Sequence, residues 1–139
     1  MIAFDTDVLT EILLGDAGYR SRAAAIPEHE QTVPVIVIEE ILRGRLNIIR
    51  QAEANHAKIS MERAYELFEE TFRDFQQLYI LSYTAQAEQV YRQWRQEKVR
   101  VSTHDLRIAA ICVAHGATLI SRNRQDYAQI PGLTVQFWY

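Results

Sequence analysis

The stretch S-T-H-D-L-R-I-A-A-I-C-V-A-H-G-A-T-L-I-S-R-N-R-Q-D-Y, residues 102–127, decides the fold class of this 139-residue chain. Ser102 and Asp105 have the spacing of a capping box, with Asp in place of the usual Glu, and Gly116 supplies a helix stop. The apolar run between them reads as one helix, A-T-L-I-S as a strand, and R-N-R-Q-D-Y-A-Q-I as a turn entering a short helix. A helix delivering the chain to a buried strand that ends in polar residues is a repeating unit of α/β proteins.

Working outward, I-A-F at the start reads as a short buried strand and D-V-L-T-E-I-L-L as an amphipathic helix. A-G-Y-R-S-R-A-A-A-I is a second short helix, ended by Pro27. Q-T-V-P-V is a strand, with Pro34 arguing against a central place in a sheet. From about Ile36 to Glu53 apolar residues recur at three- and four-residue steps, which predicts a helix. S-M-E-R-A-Y-E-L-F-E-E-T-F-R-D-F-Q-Q-L is another, and the two are expected to form a hairpin. L-Y-I-L-S-Y is a strand, T-A-Q-A-E-Q-V-Y-R-Q-W-R-Q-E-K a helix opened by Thr84, and L-T-V-Q-F-W a last strand. Strands alternate with helical segments, so the expectation is one α/β domain over residues 1–139 with a short, mainly parallel sheet and helices on both faces.

Composition is that of a globular domain, 48% hydrophobic and 24% charged. Cys112 is the only cysteine, which excludes an intrachain disulfide and a thiolate metal cluster; a small buried side chain is expected there. No apolar run approaches the ~20 residues of a membrane span. The expectation is a cytoplasmic protein without membrane contact. The net charge of −3 offers no overall attraction to nucleic acid. Its distribution is uneven, with residues 1–42 carrying eight acids against Arg20 and Arg22, while residues 43–139 hold thirteen bases against ten acids.

In an open parallel sheet, ligands bind beyond the carboxyl ends of the strands. Asp5 follows the first strand, Glu40 lies in the helix after the second, Asp105 opens the helix that feeds the fourth, and Asn123 and Asp126 follow that strand. Each acid has a plain structural reading. Asp5 or Asp7 serves as a helix N-cap, Glu39 and Glu40 as a solvated face, Asp105 as a first-turn acid, and Asp126 as a turn aspartate. Together they are harder to explain. Two carboxylates about 5 Å apart repel by roughly 3 kcal/mol at an effective dielectric near 20. A hard divalent cation with oxygen ligands removes that repulsion.

The order F-D-T-D-V-L, V-I-E-E-I-L-R-G, S-T-H-D-L-R-I-A-A and L-I-S-R-N-R-Q-D-Y-A-Q-I-P-G-L resembles the PIN-domain ribonucleases, and within them the VapC-type toxins of type II toxin–antitoxin modules. The resemblance spans nearly the whole chain and implies a three-layer α/β/α domain with a helical hairpin insertion. It implies a metal-dependent endoribonuclease in which Asp5, Glu40, Asp105 and Asp126 form the catalytic and metal-binding set around Mg²⁺ or Mn²⁺. Glu40 rather than Glu39 matches, because it stands four before Gly44. A metal-activated water would attack the phosphodiester. Thr6, Ser121 and Asn123 match supporting positions, while Asp7 stands where Asn is commoner. Arg43, Arg107, Arg122 and Arg124 each lie within a turn of a site acid and are candidate RNA phosphate contacts. His104, at the second position of its helix, is expected to face solvent. The family also implies a VapB-type antitoxin, and a homodimer is expected; the hairpin from Tyr65 to Phe75 is a candidate antitoxin groove or homodimer face, although most of those side chains read equally well as core.

Two other readings compete. F-D-T-D-V also resembles the Asp-x-Asp opening of haloacid-dehalogenase-type phosphatases, but Val8 replaces the usual Gly and neither lysine, Lys58 nor Lys98, is suitably placed. A noncatalytic RNA- or partner-binding module on the same fold is the other, and the presence of all four acids argues against it.

Overall fold

The computed structural model describes residues 1–55 and 58–139 and contains a five-stranded sheet whose pairings are all parallel. The strands are β1 (Ile2–Phe4), β2 (Gln31–Pro34), β3 (Tyr79–Leu81), β4 (Thr118–Ser121) and β5 (Val135–Phe137), in the order β3-β2-β1-β4-β5. Helices α1 (Thr6–Leu14) and α2 (Ala17–Ala24) join β1 to β2, with a 3-10 turn at Glu28–Glu30. Helices α3 (Val35–Glu53) and α4 (Met61–Phe75) join β2 to β3, and α5 (Ala85–Gln96) and α6 (Thr103–His115) carry the chain back to β4. A short α7 (Arg124–Tyr127) precedes β5. The expected hairpin is α3 packed on α4; the part of its join at residues 56–57 lies outside the described residues.

The chain steps outward from β1 to β3, then returns past its start to β4. Right-handed crossovers taken in opposite directions put their helices on opposite faces of the sheet. The reversal falls between β1 and β4, and there the chains leaving the two strands diverge and open a crevice. Register makes the junction close: Phe4 pairs with Ile120, and the Asp5 amide donates to the Ile120 carbonyl at 2.9 Å.

Three- and four-residue strands suffice because both faces are covered. Ala3, Phe4, Val33, Leu119 and Ile120 are all essentially inaccessible, which explains why these strands read as apolar runs rather than alternations. Helix α6 is interior as well. Ile108, Ala109, Ala110, Ile111 and Cys112 are consecutive and fully buried, so the helix lacks a polar stripe in its middle turns, and its alanines permit close approach to its neighbours. Helix α4 is the opposite case. It buries Ala64, Thr71 and Phe75 and leaves Tyr65 and Phe72 exposed.

Pro34 does not push β2 to an edge. The strand is interior, and Pro34 occupies its last position, where it also caps α3; pairing with β1 runs through Gln31 and Thr32, so the missing N–H falls beyond that ladder. The helix starts follow local chemistry. Ser102 accepts from the Asp105 amide at 3.4 Å, Thr84 from the Ala87 amide at 3.1 Å and Ser60 from the Arg63 amide at 3.1 Å.

Gly116 ends α6 at φ 69°, in the left-handed region, and its amide returns to the carbonyls of Cys112 and Val113. A Cβ there would meet nothing within 4 Å, so conformation alone sets the cost. Gly116→Ala should lower unfolding free energy by about 1 kcal/mol, with Gly116→Asn costing less. Chemical denaturation of the two variants checks this, and equal stability of the Gly116→Ala variant and its parent would remove the left-handed cap from the account.

Candidate active site

Asp5 is the first residue beyond β1 and stands at the N-cap position of α1, yet its side chain caps nothing. The carboxyl is 5% exposed and turns back over the sheet end. Ser121, the last residue of β4, donates its hydroxyl to Asp5 Oδ2 at 2.6 Å, and Tyr127 Oη lies 3.3 Å from Asp5 Oδ1. Asp7 takes the helix-start role instead, accepting from the Val8 amide at 2.8 Å.

Asp105 reaches the same place from α6. It is half-buried, and its Oδ1 also lies 3.3 Å from Tyr127 Oη. One phenolic hydroxyl thus stands between two carboxyl groups, and it has a single proton to donate. Asn123 Nδ2 extends the chain, 3.4 Å from Asp105 Oδ2 and 3.0 Å from Asp126 Oδ2, while Asn123 Oδ1 accepts from the Asp126 amide at 3.2 Å. Ser121 Oγ, already donating to Asp5, accepts from the Asn123 amide at 3.0 Å. Glu40 arrives from α3. Thr6 donates to its Oε2 at 3.1 Å, and its Oε1 is buried without a hydrogen-bond partner.

Burial is the largest influence on all three innermost acids. It pushes Asp5 up to about 7, opposed by the Ser121 hydrogen bond and reinforced by the charges of Asp7 and Asp105. Glu40 and Asp105 are raised for the same first reason, Glu40 with help from Asp105 and Asp105 with help from Asp126. The Tyr127 phenol is held well above its ordinary value by burial and by Asp5 and Asp105. It stays a hydroxyl.

The second ring of residues is divided. Glu39 is not a free surface acid: it accepts from His104 Nε2 at 3.1 Å and from Arg43 Nη2 at 2.6 Å, tying α3 to the start of α6. His104 therefore turns toward α3 rather than outward, and its proximity lowers the Glu40 value in part. Arg107 points away from the acids. Its guanidinium lies over Tyr91 at 4.9 Å and Tyr83 at 6.0 Å, on the α5 side. Arg122 meets Glu11 at 3.5 Å, and Arg124 lies over Phe137 at 4.4 Å. A groove of about 770 Å³ runs along α3 past Glu39, Glu40, Arg43, Asn47 and Arg50, opening beside the carboxylates.

The donors suit a hard divalent cation. They are carboxylate oxygens backed by hydroxyls and an amide, and the unpartnered Glu40 Oε1 is a buried acceptor with nothing to satisfy it. Among the described residues no three carboxylate, imidazole or thiol groups are drawn together tightly enough to hold an ion as they stand. That spacing is compatible with Mg²⁺, which takes one or two carboxylates directly and reaches others through water. Tyr127, the residue linking Asp5 to Asp105, has no signal in the sequence beyond being the aromatic that follows Asp126.

Sequence and structure comparisons give a consistent family. The model described as the PIN domain matches residues 2–133. Curated proteins provide no match to the sequence. Among solved structures, a chain of VapBC2 from Rickettsia felis bound to a DNA fragment from their promoter aligns with TM-score 0.77 at 20% identity over 100% of both chains. DNA-bound VapBC from Salmonella typhimurium gives 0.76 at 19% identity over 100% of both chains. FitAcB from Neisseria gonorrhoeae gives 0.74 at 18% identity over 97% of this chain and 96% of that one. At such identities the likeness establishes the fold.

The raised Asp5 value has a thermodynamic sign. Between about 4 and about 7 the folded chain keeps a proton that the unfolded chain has released, so stability falls as pH rises through that window, by up to about 4 kcal/mol for this group alone. In EDTA, the melting temperature should drop between about pH 4 and about pH 7, and Asp5→Asn should flatten the drop and melt higher at the upper end. Differential scanning calorimetry of the two chains decides it; a variant that melts lower at the alkaline end would mean Asp5 is stabilising, contrary to the assignment.

Proposed function

This chain belongs to the PIN-domain family, and from that premise we propose that it is a metal-dependent endoribonuclease, the toxin of a toxin–antitoxin pair acting in the cytoplasm. The observation that carries the proposal is the hydrogen-bonded chain linking Asp5, Asp105 and Asp126 through Tyr127 and Asn123 at the sheet's switch point, with Glu40 close enough to feel the Asp105 charge and one buried Glu40 oxygen left over. Asp5, Glu40 and Asp105 would hold Mg²⁺ or Mn²⁺, with Asp126 assisting. Bound there, the cation supplies Lewis acidity toward a phosphate oxygen and toward water.

The chain's own groups then have distinct tasks. Ser121 fixes the rotamer of Asp5, and Thr6 fixes that of Glu40. Asn123 holds Asp126 against Asp105. Tyr127 keeps Asp5 and Asp105 facing one another without contributing charge. Arg43, Arg122 and Arg124 lie on the rim and offer phosphate contacts, whereas Arg107 is engaged by aromatic faces on the α5 side. A protein nucleophile is not required. Cys112 is fully buried, and burial pushes its thiol far above the range in which a thiolate forms.

The antitoxin partner is supported by the similar structures, which are toxin–antitoxin complexes. A VapB-type antitoxin would approach the carboxylates along the α3 groove, which Glu39, Glu40, Arg43 and Arg50 line. Homodimerisation is supported by Tyr65 and Phe72, which stand more than half exposed on α4. No described helix is long and apolar enough to cross a membrane.

Purified chain freed of any partner should cut a mixed cellular RNA pool in Mg²⁺ or Mn²⁺ and not in EDTA. Asp5→Asn and Asp105→Asn should each reduce cleavage by roughly 100-fold or more, the scale of removing a group that acts on the transition state. End mapping of the products reads both the activity and its target. Equal cleavage in EDTA, or by folded Asp5→Asn chain, would sink the assignment and favour a contaminant.

A further inference from the structure

Two sets of arginines in this molecule are engaged in different ways. Arg43, Arg63, Arg73 and Arg92 pair with carboxylates on their own helices, as solvated helix faces do. At the β4–β5 end of the sheet the pattern differs. Arg22 lies 5.5 Å from the Tyr19 ring centroid and 5.7 Å from that of Trp138. Arg122 lies 5.9 Å from Tyr19, and Arg124 lies 4.4 Å from Phe137 and 5.7 Å from Tyr139. Of these three, all exposed, only Arg122 has a carboxylate partner among the described residues, Glu11 at a long 3.5 Å. Arg22 and Arg124 are thus planar cations laid on aromatic faces with no carboxylate partner among the described residues.

This patch is continuous with the acidic centre. Ser121, which binds Asp5, pairs with Phe137 in register, and its carbonyl accepts from the Trp138 amide at 3.0 Å. Trp138 packs on Phe4, the residue before Asp5, with ring centroids 6.0 Å apart. Arg122 and Arg124 flank Asn123, which touches Asp105 and Asp126. Tyr139 is 79% exposed and is steered by Arg124, whose Nη2 donates to its hydroxyl at 2.6 Å. An exposed aromatic face held by a guanidinium, beside two further cations, is how proteins grip an unpaired nucleotide: the base stacks on the ring while the phosphate meets the arginine.

Resting on the ribonuclease reading, we propose that the β4–β5 end is a stacking platform for single-stranded RNA next to the cleavage centre, with Tyr139 receiving a base and Arg124, Arg122 and Arg22 receiving the flanking phosphates. Stacking needs a base free of its duplex, so the substrate class is RNA unpaired beside the cut. Every base has a stacking face, so the platform selects for strandedness more than for sequence.

Binding is measured apart from cleavage by using the Asp5→Asn chain and fluorescence anisotropy of a labelled short oligoribonucleotide, single-stranded or annealed to its complement. Tyr139→Ala should weaken single-strand binding roughly 5- to 100-fold and leave duplex binding within about twofold. Tyr139→Phe should retain most of the affinity, and Arg124→Gln should weaken binding and flatten its salt dependence. Quenching of 2-aminopurine placed in the strand should be lost with Tyr139→Ala. The side chain is exposed, so the variant's melting temperature should match that of its parent. No single-strand binding by the folded Asp5→Asn chain overturns the proposal. So does binding that ignores Tyr139; if Tyr139→Ala then abolishes capture of a purified partner protein, the surface belongs to that protein instead. The nuclease reading fails separately, if the unsubstituted chain binds through Tyr139 but cuts nothing in any metal.

Discussion

The buried carboxyl of Asp5 is the constraint around which this sheet end is organised. A carboxylate 5% exposed, with Asp7 and Asp105 nearby, is costly to ionise, and its environment answers by hydrogen bonding rather than by a counter-charge. Ser121 comes from the neighbouring strand, and Tyr127 comes from a helix one turn later. Neither is cationic. A lysine or arginine there would neutralise Asp5 permanently and fill the space that the proposed divalent ion would take. Hydroxyls keep the oxygens oriented while leaving their charge available, so the fold tolerates local instability at the place where a cation can relieve it.

The same constraint explains the supporting residues. Tyr127 has one proton between Asp5 and Asp105, so those two groups are best satisfied when one carboxyl is itself protonated. Asn123 can serve two acids at once because its amide group donates twice, and its carbonyl oxygen still accepts the Asp126 amide. Aspartate in its place would bring a fifth carboxylate and lose both donations. Glu40 differs from the rest. It has one satisfied oxygen and one without a partner, which makes it the acid with most to gain from an incoming ligand.

What was legible in the sequence follows from how local each signal is. The Ser102–Gly116 helix could be read because its cap and left-handed stop are set within a few residues. The first strand and the acids after each strand could be placed because parallel sheets have a fixed polarity. The choice of Asp5 over Asp7 as the inward acid could not be fixed from local chemistry, since both sit where a cap belongs; Ser121 and Tyr127 make that choice from more than a hundred residues away. Arg107 shows the opposite error. Two positions after Asp105 is close in sequence but about 200° around a helix, so the side chain goes to Tyr83 and Tyr91 instead of the rim. Glu39 is solvent-exposed, as its place on the helix suggested, but helical spacing does not reveal that His104 approaches it from another helix.

On the proposed nuclease reading, the acids would carry little information about which RNA is cut, because they would meet only phosphate and metal. Selection must come from the two flanks of the centre, which are chemically unlike. On the α3 side, Arg43 is tied to Glu39, so a ligand there must compete with an existing ion pair and dehydrate it. On the β5 side, Arg22 and Arg124 rest on aromatic rings and give up no carboxylate when a phosphate arrives. Cation–aromatic contacts also hold each guanidinium in a plane before binding, which lowers the ordering cost of recognition. A polyanion therefore gains more from the β5 flank per contact. An approach by a protein chain is better matched to α3, where Glu39, Arg43 and Arg50 line a groove that reaches Glu40. The two flanks can then serve substrate and partner without being the same surface, and a partner seated on α3 would still close the centre because Glu40 belongs to both the groove and the acid set.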